Sequence, residues 1–198
     1  MFRRSLGLFV ALVLAAGLAS AAAAARIHIR VEGRTTTIYG ATQPRESATT
    51  ALDALAVAAK AGEFYYHVTQ TAYGPYVDEI GFYKAFGSNG WAFKVNGVSP
   101  PVGADRYELK AGDTVLWYWA SFGLAGGPPT LVLQHHGRGC YRVFAQAESG
   151  KRIAARGAVL HAGHQRTKTH HGVACIRHRY GVLVRATLHG DVRSNALT

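Results

Sequence analysis

Acidic residues are scarce in this sequence, and the deficit is confined to one part of the chain. Its 198 residues include 11 Asp and Glu against 22 Lys and Arg, a formal net charge of +11. Residues 26–130 carry nine charges of each sign, whereas residues 131–198 carry eleven basic residues and two acidic ones. The change in composition follows the Gly/Pro-rich stretch 123–130, and such stretches commonly punctuate structure. We therefore predict two domains, residues 26–122 and 131–198, joined by a linker at 123–130.

Motifs of several common function classes are missing. The sequence has no G-x-S-x-G motif, the pattern that carries the nucleophile in many hydrolases. Its acidic pairs, Asp78 with Glu79 and Asp105 with Glu108, lie in loop-like stretches beside strands, where carboxylates are usually solvated. An active site needs ionisable groups with convergent roles, and this sequence displays none. We predict a protein that is not an enzyme, without catalytic residues, a metal or a cofactor.

Long apolar runs are confined to the N-terminus. Arg3 and Arg4 precede an apolar stretch from Leu6 to Leu18, and the small residues Ala19 to Ala25 follow it. This is the layout of a secretory signal peptide, which we place at residues 1–25, and a retained N-terminal anchor is the alternative. The predicted location is extracytoplasmic, secreted or in the cell envelope, with no membrane span after cleavage and no nucleic-acid partner.

The sequence has only two cysteines, Cys140 and Cys175. Their spacing is far from the Cys-x-x-Cys pattern of redox and zinc sites. In an oxidising compartment such a pair is expected to form a structural disulfide. Cys140 alternates with Arg142, and Cys175 with Arg177, so both lie on polar strand faces. We expect the bridge at a sheet edge or at an end of the fold.

Residues 26–122 carry the pattern of an α+β domain. Thr50 with Asp53 resembles an N-cap and its acidic partner, and Gly62 is a natural end for the helix that they begin. Asn96-Gly97 is a strong signal for a tight turn. The alternating runs that predict half-buried strands are 26–31, 35–39, 91–95 and 114–119. Two strands, a helix and further strands form the order of a β-grasp domain.

The motifs of this segment resemble those of the DUF4430 family. They are Ala51–Leu55, Gly90–Gly97 and Val102–Tyr118, within a resemblance that covers about residues 27–122. That family is similar to the C-terminal β-domain of transcobalamin and intrinsic factor. The resemblance implies a β-grasp-like fold that, in the cobalamin carriers, closes over the corrin ring. Those carriers also hold the ligand with a helical barrel, and no such barrel is encoded here.

Aromatic residues supply the candidate ligand face. Trp91 shares a strand face with Phe93, and Trp117 with Trp119, so these residues are either core or a ligand platform. Segment 64–86 is rich in tyrosine and is interpreted as loop-rich, with a weakly strand-like stretch at Val77–Ile80, and long loops are often functional. The turn at 96–97 and the loop 98–104 are expected to protrude from one end of the sheet. The predicted ligand-binding residues are Tyr73, Tyr76, Trp91, Asn96, Pro100 and Pro101.

Residues 131–198 are predicted to be all-β. Short apolar runs suggest an Ig-like or prealbumin-like β-sandwich, and residues 157–198 resemble carboxypeptidase-regulatory-like and bacterial Ig-like modules. His161 and His164 could face each other across a two-residue hairpin, with His170, His171 or His189 as a further metal ligand. Surface histidines are the simpler interpretation of this pair.

We therefore predict an exported binding protein that takes a small molecule, with corrinoids among the candidates, or an envelope partner through residues 26–122. The alternative is a structural cell-envelope module that its basic sandwich, residues 131–198, holds on an anionic polymer. A weaker third interpretation is an envelope hydrolase.

Overall fold

A computed structural model of the chain describes residues 23–124 and 126–198. Within these ranges the protein is mostly β, with one helix and fifteen strands in four sheets. The predicted signal peptide lies outside the described residues except for its last three, of which Ala25 already begins the first strand. No helix in the described ranges is both long enough and apolar enough to cross a membrane.

The first segment, residues 26–122, contains the helix and eight strands. In chain order they are β1 (Ala25–Glu32), β2 (Thr37–Tyr39), β3 (Arg45–Ala48), α1 (Ala51–Ala61), β4 (Tyr66–Thr71), β5 (Gly74–Ile80), β6 (Tyr83–Lys84), β7 (Asn89–Val95) and β8 (Thr114–Ser121). The central sheet has the order β2-β1-β8-β7, and β3 also pairs with β1. The inner pair β1 and β8 is parallel, with Ile29 opposite Val115, and the other pairs are antiparallel.

The helix begins and ends where its capping residues predict. The Thr50 side chain accepts a hydrogen bond from the Asp53 backbone N–H at 3.1 Å. The Asp53 carboxylate in turn accepts a hydrogen bond from the Thr49 backbone N–H at 2.8 Å. The side chains of Thr50 and Asp53 therefore each satisfy a backbone N–H group at the start of the helix. Gly62 ends the helix by donating its N–H to the Ala58 carbonyl. The helix packs its alanines and Leu55 against the central sheet.

The interpretation of residues 64–86 as mainly loop is wrong, although the weak strand predicted at Val77–Ile80 is present as the end of β5. Strands β4, β5 and β6 form a three-stranded antiparallel sheet across this segment, with its first turn between Thr71 and Gly74. Val77 and Ile80 are buried in the core of the first segment. Strand β4, Tyr66–Thr71, consists mostly of polar residues and has no clear apolar face. The sequence pattern therefore does not indicate a strand there.

The central sheet is buried on both faces, which corrects the prediction of a half-buried first strand. Trp91, Trp117 and Trp119 face α1 and the small sheet, as the core interpretation of the tryptophans requires. On the opposite face, Arg30, Glu32 and Lys94 are also buried, because the second segment, residues 131–198, packs there. The polar alternation in β1 therefore marks an interface between segments and not a solvent face.

The second segment is a β-sandwich. Its strands are β9 (Thr130–His135), β10 (Cys140–Gln146), β11 (Arg152–Ala154), β12 (Val159–Ala162), β13 (Gln165–Lys168), β14 (Val173–Cys175) and β15 (Val184–Thr187). One sheet joins β9, β10, β11 and β14, and the other has the order β13-β12-β15. The core between them includes Leu131, Val143, Leu160 and Val184. Thr130, assigned to the linker from the sequence, is the first residue of β9.

The predicted disulfide is present. Cys140 and Cys175 are bonded and lie directly opposite each other in the pair of β10 and β14. Cys140 is the first residue of its strand and Cys175 the last of its own. The bridge therefore lies at an end of the sheet, as the polar faces of both strands predict.

The hairpin register that would have placed His161 opposite His164 does not form. Ala162 pairs with Gln165, so Gly163 and His164 form the turn, and His161 lies opposite Arg166. The side chain of His161 contacts the Thr187 hydroxyl at 2.8 Å across the sheet. Because the turn is one residue later than predicted, the two imidazoles do not face each other. Within the described ranges no group of three metal-ligating side chains is found.

A buried ion cluster joins the two segments. Glu32 is fully buried, and its carboxylate accepts hydrogen bonds from Arg30 at 3.1 Å and from Arg193 at 2.9 Å. Arg193 also donates to the Gly33 carbonyl, and Arg30 donates to the Arg193 carbonyl. Thr37 donates a further bond to the same carboxylate. Arg30 and Thr37 belong to the first segment, so Arg193 is the partner of Glu32 that depends on the docked arrangement of the segments.

We expect Arg193→Ala to lower the free energy of unfolding by about 3 kcal/mol, because removing one partner leaves a buried carboxylate under-compensated. Arg106→Ala is the matched control, since Arg106 is 68% exposed and lies 3.7 Å from Asp105. That change should cost at most about 1 kcal/mol. Urea unfolding measures both variants, and equal losses would contradict the role given to the buried cluster.

We expect the double change Cys140→Ser with Cys175→Ser to lower stability by about 3.8 kcal/mol, the value that the chain-entropy treatment gives for about 36 enclosed residues. Thermal unfolding with and without a reductant gives the test. The reductant should lower the Tm of the unmodified protein and leave that of the double variant unchanged. Two free thiols in the non-reduced protein would disprove the bridge.

Candidate functional site

An apolar groove lies at the edge of the first segment, between β5, β7 and the loop 99–104. It has a volume of about 270 Å³. We call it the Tyr76 groove. Its aromatic wall comprises Tyr76, Trp91, Phe93 and Trp117, of which Phe93 and Trp117 stack with their ring centroids 5.3 Å apart. The remaining lining residues are Pro75, Val77, Ala92, Ser99, Pro100, Gly103, Ala104 and Glu148.

The position of Tyr76 depends on a glycine in the neighbouring strand. A Cβ atom at Gly90 would lie 2.4 Å from the Tyr76 hydroxyl oxygen, so a larger residue there would displace the ring. Partial burial raises the pKa of Tyr76, so its hydroxyl remains a neutral hydrogen-bonding group. The side chain is still 40% exposed, which leaves part of its ring free for contact.

Three of the six predicted ligand-binding residues meet in this groove, and three do not. Tyr76, Trp91 and Pro100 line it. Tyr73 lies at the β4–β5 turn and is 95% exposed, and Pro101 is exposed in the loop beyond Pro100. The Asn96 amide donates to the Asp113 carboxylate at 2.8 Å and accepts from the Thr114 N–H, so it serves to join two strand ends.

The start of the loop 98–104 is held against the second segment, whereas residues 101–103 are exposed. Asn96 and Gly97 form the expected tight turn, with φ values of 52° and 82°, but the turn packs on the second segment. The Ser99 N–H donates to the Glu148 carbonyl at 2.8 Å. Gly97 lies so close to the Gln146 side chain that a Cβ atom there would overlap it. The second segment therefore supports the loop that closes one side of the groove.

Glu148 and Lys94 place charge near this edge of the protein. Glu148 lines the groove and accepts from the Gly127 N–H at 3.3 Å. Lys94 is buried on the other face of β7, where its ammonium donates to Thr130 and to the carbonyls of Gln146 and Ala147. Burial lowers the pKa of Lys94 to about 8, although nearby Glu148 opposes that shift. Sequence reasoning missed Glu148, because it lies at least 31 residues from every other lining residue.

A second cleft of about 680 Å³ lies between the segments. Phe86 and Trp119 form its aromatic side, and Asn89, Ser121 and Asp191 supply polar groups. Burial raises the pKa of Asp191 to about 6. The Ser121 hydroxyl donates to the Asn89 side chain, so part of this polar set is already satisfied. None of the predicted ligand-binding residues lines this cleft.

The acidic residues weighed for catalysis do not line the Tyr76 groove. Asp78 accepts hydrogen bonds from His67 at 2.7 Å and from Thr69 at 3.0 Å on the surface of the β4–β5 hairpin. Asp105 contacts Arg106 and lies outside the lining of the groove. Among the described residues, the ionisable groups that line the groove are Tyr76 and Glu148.

Comparison with known proteins gives one family and a distant structural likeness. No curated protein matches the sequence. A crystal structure of a protein from Ruminococcus gnavus, provisionally described as metal-binding, aligns with 49% of this chain and 97% of its own at 12% identity and a TM-score of 0.36. A TM-score this low does not support any inference about the structure or function of this chain. Residues 47–121 match the family described as a domain of unknown function, DUF4430. This match confirms, for residues 47–121, the resemblance to DUF4430 drawn from the sequence motifs.

Proposed function

We propose that this protein is an exported, non-enzymatic binding protein, and that its ligand is held at the Tyr76 groove. The observation that carries the proposal is the convergence there of four aromatic side chains from β5, β7 and β8. Ligand sites are typically concave, mostly apolar and equipped with few polar groups. The groove fits that description, with Glu148 as its single carboxylate.

The fold supports the same proposal. We assign the first segment to the β-grasp class, because a helix covers one face of a sheet ordered β2-β1-β8-β7 whose inner pair is parallel. The resemblance to the β-domain of cobalamin carriers makes a flat, partly apolar ligand reasonable. Export is supported by the disulfide, since such bridges persist in oxidising compartments.

The size of the groove limits what it can hold. A volume of about 270 Å³ is just below the range of about 300–1,000 Å³ typical of small-molecule sites. The groove therefore takes one ring or one edge of a larger ligand, or an apolar side chain of a protein partner. A corrinoid would leave most of its surface exposed, so we expect a Kd in the micromolar range or weaker.

We expect Tyr76→Ala to weaken cyanocobalamin binding about tenfold, which corresponds to the loss of about 1.4 kcal/mol of ring contact. Equilibrium dialysis, with cobalamin measured by its absorbance, gives the two Kd values. Tyr73→Ala is the matched control, because it removes the same side chain from the same hairpin at a position outside the groove. It should leave the Kd unchanged.

Circular dichroism checks that both variants remain folded. Trp91 is not used for this test, because its indole N–H donates to the Tyr83 carbonyl and its ring is part of the core. Equal Kd values for the Tyr76 variant and the unmodified protein would place the corrinoid elsewhere. No binding at millimolar cobalamin would exclude corrinoids as the ligand class.

A further inference from the structure

The second segment has a cavity of its own, beside the disulfide. Its volume is about 1010 Å³, and it lies between the β9–β10 turn and the segment that follows β14. Its lining residues are His135, Gly137, Arg138, Gly139, Tyr141, Cys175, Ile176, Arg177, His178, Tyr180, Gly181 and Thr198. None of them belongs to the Tyr76 groove, so this cavity is a separate feature of the molecule.

The charged side chains of this cavity are all basic. Arg138 comes from the β9–β10 turn and Arg177 from the segment after β14, so the two guanidinium groups approach from different parts of the chain. Both residues are exposed, and neither forms an ion pair within the described residues. Arg142 lies two residues after Cys140, with its guanidinium 3.3 Å from His136. No acidic side chain lines the cavity.

Three contacts hold the two walls together. The disulfide joins the start of β10 to the end of β14. The Ile176 N–H donates to the Gly139 carbonyl at 2.9 Å. His178 contacts the Tyr141 hydroxyl at 2.7 Å through Nε2 and the Arg179 carbonyl at 3.0 Å through Nδ1. Arg138 and Arg177 therefore extend from backbone that is fixed before any ligand arrives, which lowers the ordering cost of binding.

We infer that this cavity binds a polymer that carries phosphate or sulfate groups, with Arg138 and Arg177 as its principal contacts. Guanidinium groups match the geometry of such oxyanions with paired N–H donors. The rings of His135 and Tyr180 offer flat surface to the units between the charges. The eleven basic and two acidic residues of 131–198 extend the attraction beyond the cavity, which favours a ligand with many charges over a single anion.

The test compares two pairs of substitutions that remove the same charge. Arg138→Gln with Arg177→Gln changes the cavity, whereas Arg156→Gln with Arg166→Gln changes exposed residues of the same segment that do not line it. Heparin supplies sulfate groups and long-chain polyphosphate supplies phosphate groups. Fluorescence anisotropy of labelled polymer at several salt concentrations gives the Kd and its salt dependence.

We expect the cavity pair to weaken binding at least tenfold and the control pair at most about threefold. The cavity pair should also reduce the slope of log K against log salt by about 1.5 to 2, since two charge contacts are lost. Preference for one of the two polymers tells whether phosphate or sulfate is the group recognised. Equal weakening by both pairs, or no binding of either polymer at 50 mM salt, would overturn the inference. Neither result would bear on cobalamin binding at the Tyr76 groove.

Discussion

The structure depends on how one buried carboxylate is satisfied. Glu32 lies at the end of β1 with no exposed surface, and an isolated charge in such a place would cost many kcal/mol. Arg30 and Thr37 come from the first segment, and Arg193 comes from the second. The carboxylate thus gains its second guanidinium only when the two segments lie in one relative position. This requirement makes the pair of segments a single unit, in spite of the Gly/Pro-rich stretch between them.

That fixed position also completes the Tyr76 groove. The turn between β10 and β11 brings Glu148 to its edge and holds Ser99 through a backbone hydrogen bond. Lys94 strengthens the same contact from the other face of β7 through the carbonyls of Gln146 and Ala147. The first segment supplies the aromatic wall, and the second supplies the charge and the support for the loop.

Local patterns in the sequence predicted the features that short-range physics controls. Thr50 and Asp53 located the helix, Asn96-Gly97 located a tight turn, and the cysteine pair identified the bridge. The error about the polar face of the central sheet has a different origin, which is contact between distant residues. In the sequence, the polar residues of β1 and β7 resemble solvent-facing positions. Their hydrogen-bond partners lie as many as 163 residues away along the chain, so the local pattern does not show that these residues are buried. His161 and His164 do not face each other, because the turn of their hairpin lies one residue later than the facing arrangement requires. The position of a turn depends on packing, which composition does not show.

The distance along the chain between Glu32 and Arg193 has a consequence for synthesis. The two residues are 161 positions apart, and β1 also waits for its parallel partner β8. A nascent chain that emerges from its N-terminus therefore cannot complete its central sheet until β8 has been made, and Arg193 reaches the carboxylate only when nearly the whole polypeptide exists. The contacts through which Arg193 joins the two segments therefore form only at the end of translation. The same delay leaves apolar strands unprotected for longer, so chaperones have more time to act on them.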